Sequence, residues 1–188
     1  MMQWKARAMD QILEKALEKS WASTCRVLLG REIGQLHKYR EWLSTYMPHY
    51  AKRKSHRSGQ EVILAMDAYS PKANFITESE VDQNRDYKLS VNDIKDIESI
   101  MGAISERSEY VGNRFLGNSA HVDSSDIVID SQYVNNSANI EESQYVDSSF
   151  MIRRGSKYIF GSAYMGESEF ITRVYGTFNS KRCFESYF

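Results

Sequence analysis

Apolar positions recur at steps of three and four near the start of the chain. Met9, Ile12, Leu13, Ala16, Leu17, Trp21, Cys25 and Leu28 share one face of a helix predicted over residues 6–29, which Gly30 is placed to end. A second helix is expected over residues 32–46. Ile33, Leu36, Leu43 and Tyr46 lie on one side of it and Pro48 closes it, so the two helices read as an αα-hairpin. Trp4, Trp21 and Trp42 read as packing residues. The stretch HYAKRKSHRSG (49–59) is polar and basic and reads as a loop or mobile linker. EVILAMDAY (61–69) and ANFITE (73–78) read as strands, and SEVDQNRDYK (79–88) as an acidic loop. A helical period then returns. Ser90 is a good N-cap, Asp93 stands three residues on, and Ile94, Ile97, Met101 and Ile104 form one apolar stripe that ends near Arg107.

From Leu116 the helical period disappears. Cut in twelves, the chain reads LGNSAHVDSSDI, VIDSQYVNNSAN and IEESQYVDSSFM. It continues as IRRGSKYIFGSAY, with one extra residue, MGESEFITRVYG and TFNSKRCFESYF. The first position of these units is Leu, Val, Ile, Ile, Met and Thr, and the fourth is Ser or Gly. A short repeat of this kind marks a solenoid, because one unit cannot bury its own apolar face and must stack on its neighbours. Stacking would align the serines into ladders whose hydroxyls bond one another. No proline follows Pro71, as an uninterrupted ladder requires. The fold class expected is α+β. A mainly helical segment over 1–110, with one or two short strands, caps one end of a β-helix over 111–188. The chain stops at ESYF in mid-pattern, which predicts a fragment of a longer repeat protein or a last coil that stacks on another chain.

Each unit is two hexads of the form aliphatic-x-x-Ser-x-(aromatic or small). Over residues 116–188 this pattern resembles the hexapeptide-repeat proteins. The resemblance implies a left-handed β-helix and, often, acyltransferase activity, for which His121 would be the base. The aliphatic-to-small offset is three here (Val128 to Ser131), where that family has four, and twelve-residue units do not fit that family's longer coil. Tyr133, Tyr145, Tyr158 and Phe170, one per unit, are too bulky for the inside of a twelve-residue coil. Two units per coil are therefore expected, about 24 residues, in a right-handed β-helix of about three coils stacked roughly 4.8 Å apart. Facing inward these aromatics are core; facing outward they form a candidate surface ladder for sugars, bases or a partner protein.

Charge adds a second layer. Residues 1–60 hold 12 Lys/Arg against 5 Asp/Glu, residues 61–150 hold 6 against 17, and residues 151–188 hold 6 against 3, for a net charge of −1. Such asymmetry predicts a basic end and an acidic middle that attract each other or separate partners. Lys52, Arg53, Lys54, His56 and Arg57, beside Tyr50, are candidate contacts for nucleic-acid phosphates or another anion, weighed against a solvated linker. Asp123, Asp126, Asp130, Glu141, Glu142 and Asp147 fall near the early corners. Stacked carboxylates there suit calcium or acid–base work on a sugar, weighed against an ordinary charged surface. Arg153, Arg154 and Lys157 mark a bulge at the insertion. Cys25 and Cys183 match no metal spacing and make no disulfide framework, so a reducing, cytoplasmic setting is expected. There is no signal-peptide core and no apolar run near the roughly 18 residues of a membrane span. Without a phosphate loop, nucleophile elbow or ligand cluster, neither cofactor nor metal is expected. The function expected is a non-enzymatic scaffold or recognition module whose partner is a protein, a second copy or nucleic acid, with no membrane contact. The alternatives are a carbohydrate-active β-helix enzyme and a hexapeptide-type acyltransferase.

Overall fold

The computed structural model describes residues 2–48, 50–70, 73–83 and 96–187. The chain forms two compact units, one of Met1–Pro48 with Phe115–Phe188 and one of His49–Arg114. This division differs from a helical 1–110 and a β-helical 111–188, because the first helix belongs with the β-helix. Helix α1 (Met2–Leu29) buries Leu13, Leu17, Trp21 and Cys25, four residues apart on one stripe. The segment after it is not a second continuous helix. Only the single turn α2 (Arg40–Leu43) is α-helical, flanked by 3₁₀ turns at Leu36–Lys38 and Ser44–Tyr46. Three features oppose helix over 30–36. Gly34 has φ of +125°, its carbonyl accepts the Trp21 indole N–H at 3.0 Å, and the Leu36 N–H donates to the Glu18 carboxylate at 3.0 Å.

In the unit His49–Arg114, the basic stretch is a β-hairpin rather than a linker. β1 (Ala51–Lys54) pairs antiparallel with β2 (Glu61–Leu64), and Ser55 Oγ accepts the N–H groups of Arg57 and Ser58 in the turn. β3 (Asn74–Thr77) is followed by helix α3 (Ile97–Arg107) and by β4 (Glu109–Gly112), which pairs parallel with β3. Val62 and Leu64 are buried together with Ala51, and Gly112 meets the β2 backbone so closely that no Cβ fits. The α3 capping box is Asp96 with Ser99; Ser90, Asp93 and Ile94 lie outside the described residues. Ile97, Met101 and Ile104 share a face, as the period predicts, but that face is exposed.

The remaining strands are β5 (Phe115–Leu116), β6 (Ala120–Asp123), β7 (Asp126–Ile129), β8 (Gln132–Asn135), β9 (Ala138–Glu141), β10 (Gln144–Asp147), β11 (Phe150–Arg153), β12 (Lys157–Phe160), β13 (Ala163–Gly166), β14 (Glu169–Phe178) and β15 (Lys181–Tyr187). They form a parallel β-solenoid of about six turns. One ladder runs β5-β7-β9-β11-β13-β14 and the other β6-β8-β10-β12-β14-β15. Val134 pairs with Val146 and Ala138 with Phe150, each twelve residues on; across the Gly155 insertion the step is thirteen, as Gln144 with Lys157. Each coil therefore takes twelve residues, which overturns the expectation of about 24 residues and three coils. The first coil also begins one residue earlier than the unit read from Leu116, since Phe115 pairs with Val128.

The unit that decides coil size is a triplet. From Val128 to Ile171 the fully buried inward positions step by three. They alternate aliphatic and serine: Val128, Ser131, Val134, Ser137, Ile140, Ser143, Val146 and Ser149, then onward past the insertion. Four such small or medium side chains fill a coil. Large rings are not needed inside it, which removes the premise for a wider one. A left-handed residue follows at every third position, as at Asp130, Tyr133, Asn136 and Asn139, with φ between 46° and 58°. Each costs roughly 1–2 kcal/mol in an L-residue, so the turns are costly and something must offset them. The buried serines supply part of that offset. Ser137 Oγ donates to Asn135 O at 2.7 Å and accepts the Ser149 N–H of the next coil at 3.1 Å. The ladder thus runs from hydroxyl to main chain, not from hydroxyl to hydroxyl.

Candidate assembly surface and aromatic groove

Among the described residues no strand pairs with the outer edge of β5, β6 or β15, so the ladder has an unpaired strand edge at the first coil and at the last. The last coil carries Lys181, Arg182 and Glu185, and its Phe178 and Tyr187 are 66% and 73% exposed. The first coil exposes Phe115 and Leu116 and carries Asp123 and Asp126. Following the internal register, Leu116 stands in the column of Phe178, Ala120 in that of Lys181, and Val122 in that of Cys183. Within the stack the Glu169 N–H donates forward to Ser180 O at 3.0 Å. The equivalent N–H one coil on belongs to Lys181, and it therefore points out of the edge. α1 does not cap an end: it lies along the flank, against β6, β8, β10, β12, β14 and β15.

Under α1 runs the aromatic column. His121, Tyr133, Tyr145, Tyr158 and Phe170 stack with ring centroids 4.7–5.0 Å apart and planes within 8° of parallel. Each is a left-handed residue, which swings its ring out of the solenoid core. The column faces a second core of Leu13, Leu17, Trp21, Cys25, Leu36, Leu43 and Phe160. Ring faces are occupied by neighbouring rings, so edges and hydroxyls are what the column presents. A groove of about 300 Å³ lies between α1 and the tyrosines, lined by Lys19, Ser20, Ser23, Tyr133, Tyr145 and Tyr158. Burial, with Tyr158 and Tyr133 on either side, pushes the Tyr145 phenol above its ordinary value. The helix side of the groove was not singled out in the sequence, although Lys19, Ser20 and Ser23 lie at helical spacing beside the buried stripe.

The loop after α1 is clipped to the solenoid by charge. Arg40 bridges Glu14 (2.7 Å) and the fully buried Asp147 (3.0 Å), and Asn135 and Ser148 also donate to Asp147. Burial works against the Arg40 charge, but Glu14 and Asp147 outweigh it and hold the guanidinium charged. Gly161, with φ of +63°, lets the Leu43 backbone approach; a Cβ there would lie 2.6 Å from Leu43 O. Arg173 lies over Trp42, 4.4 Å from the ring centroid.

The basic hairpin is largely compensated within its own unit. Arg57 donates to both carboxylate oxygens of Glu109 at 2.9 and 2.7 Å, His56 Nε2 lies 2.6 Å from the same carboxylate, and Lys52 pairs with Glu61 at 3.6 Å. Arg53 lies over Phe75, and Lys54 forms no ion pair among the described residues. At the insertion a cleft of about 380 Å³ holds Arg154, Lys157, Glu167, Glu169 and Lys181. Its charges alternate up the stack, with Arg154–Glu167 at 3.8 Å and Lys181–Glu169 at 3.7 Å, which favours correct coil register. Of the repeat's acids, Asp126 and Asp147 are buried, Asp130 accepts the Asn118 N–H, and Glu141 faces Arg153. Among the described residues no three His, Cys, Asp or Glu side chains gather as metal ligands. His121 Nδ1 is buried without a hydrogen-bond partner among the described residues. Both cysteines are free; burial pushes the Cys25 thiol up to about 11. No helix among the described residues is long and apolar enough to cross a membrane. Compared with family models, with curated proteins and with solved structures, the chain matches none.

Proposed function

We propose that this chain is a non-enzymatic scaffold whose solenoid stacks head to tail on further copies, the last coil of one on the first coil of the next. One observation carries the reading: the unpaired strand edges of the first and last coils share a register, and their columns complement each other. Small Ala120 meets the long Lys181, apolar Leu116 meets Phe178, and Val122 meets Cys183. The first coil brings the exposed Asp123, and the last brings Lys181 and Arg182 with one carboxylate, Glu185, so opposite charges meet across the ends. An incoming coil of the same pattern also satisfies the outward main-chain groups of β15, which any exposed edge strand offers for pairing. Heterologous contact of this kind builds open filaments unless rotation closes a ring.

The test is light scattering over a concentration series, with Lys181→Pro as the comparison. Proline removes the outward N–H and sets a ring on the edge. It breaks no internal main-chain hydrogen bond, because that N–H points away from the stack; of the internal contacts it removes the Lys181–Glu169 ion pair at 3.7 Å. Mass should rise with concentration in the parent chain and stay at 21.8 kDa in the variant. A parent chain that remains at the monomer mass throughout sinks the reading.

A further inference from the structure

The groove between α1 and the tyrosine column offers a repeating set of donors that stacking of coils does not use. Tyr133, Tyr145 and Tyr158 each present a hydroxyl, and none of the three makes a hydrogen bond among the described residues. The rings are 5.0 Å apart and within 4° of parallel, so the hydroxyls repeat once per coil along a straight line. Lys19 adds a cation at the rim and forms no ion pair among the described residues, and no carboxylate lines the groove. Ser20 and Ser23 already donate to Ala16 O and Lys19 O, so toward the groove they have only lone pairs to offer. The volume, about 300 Å³, is at the low end of small-ligand clefts. The Tyr145 phenol, pushed up by burial and by its two neighbours, remains a hydrogen-bond donor at neutral pH.

We infer that this groove binds a linear acidic polysaccharide, with successive uronate units lying along successive coils. The argument is one of matching repeat and matching charge. A sugar unit of an extended chain is close in length to the spacing of the tyrosines. Its hydroxyl and carboxylate oxygens accept from phenol and ammonium donors, the carboxylate more strongly because the bond is charge-assisted. Flat stacking of a sugar or base on a ring is denied by the column itself, whose faces are filled. Recognition therefore comes from ring edges and hydroxyls. The rigid stack fixes the three donors before a ligand arrives, so little ordering is needed on binding. This site is independent of the coil ends.

The experiment is isothermal titration of the 188-residue chain with hexamannuronate, repeated with Tyr145→Phe, Lys19→Gln and the assembly-blocked Lys181→Pro. Phenylalanine keeps the stack, so a melting temperature within a degree or two of the parent shows that the fold survives. The expected result is saturable binding, weakened about tenfold by Tyr145→Phe. Lys19→Gln should weaken binding and flatten its salt dependence. Lys181→Pro should bind as the parent does, which separates this site from assembly. Absence of saturable binding at millimolar ligand overturns the inference, as does an unchanged affinity in Tyr145→Phe. Cellohexaose binding as tightly as the uronate removes the acidic specificity. Tighter binding of polyphosphate or of oligo-dT assigns the groove to a different polyanion and overturns it too.

Discussion

Removing one buried serine hydroxyl measures how much the twelve-residue coil depends on its ladder. Ser149 is fully buried; its hydroxyl donates to Asp147 O at 2.9 Å and accepts the Ser162 N–H at 3.2 Å. In Ser149→Ala, Asp147 O keeps the Gly161 N–H at 3.0 Å, but the buried Ser162 N–H is left without a partner. One orphaned buried donor costs about 1–3 kcal/mol. At the midpoint of that range, the larger unit should melt about 4–8 °C lower, given about 2–4 °C per kcal/mol in a chain of this size. Trp4, Trp21 and Trp42 all fall in that unit, so tryptophan fluorescence reports its unfolding. The control is Ser186→Ala. That hydroxyl is in the edge coil and makes only a 3.4 Å bond to Phe184 O, so the change should stay within about 0.5 kcal/mol. Val174 interrupts the same serine column one coil below the edge, and there the β14–β15 ladder pairs it directly with Ser186. Equal losses in the two variants, or a shift under 1 °C in Ser149→Ala, would refute the ladder argument.

Two further outcomes test the clip and the hairpin unit. Arg40→Ala strands the Asp147 carboxylate in the solenoid flank and should destabilise the larger unit by about 3 kcal/mol, read by the same melt. Arg40→Met combined with Asp147→Leu should recover most of that loss. Hydrogen bonds from Ser58, from the Thr77 N–H and from Ser55 hold the Glu80 carboxyl down to about 2, against an ordinary 4.5. A depressed carboxyl stabilises the folded unit above its unfolded value. That contribution is therefore full above about 4.5 and fades as pH falls toward about 2. The Thr77 amide proton should titrate with a midpoint near the lower value, and Glu80→Gln should abolish the titration.

Much of the architecture was legible from residue spacing. The α1 stripe, the two strand segments near 61 and 74, the apolar face of α3 and the β-helical repeat are all written in local periods, because the same residue must meet the same neighbour each time. The coil length was also written, in the alternation of aliphatic and serine every three residues from Val128 onward. It was masked by the tyrosines, whose size argued for a wide coil as long as they were taken to face inward. Their left-handed backbone turns them out, and a non-glycine residue at positive φ leaves no compositional trace. The continuous helix expected over 32–46 fails for a related reason. Trp21 and Glu18 hold the Gly34 and Leu36 backbone, and neither contact is local in sequence.

The candidate site divides in the same way. Sequence alone determined that Tyr133, Tyr145, Tyr158 and Phe170 repeat once per unit, and repetition in a parallel stack forces them into a column. It could not determine which side of the column remains open, because that depends on α1, more than a hundred residues earlier, packing along the flank rather than across an end. Nor could it show that Glu109 would take up Arg57 and His56, which leaves the basic hairpin far less cationic than its residues imply. Local spacing specifies what each coil repeats. Only the folded chain decides which faces of that repeat are covered, paired or left for another molecule, because covering and pairing are contacts between segments distant along the chain.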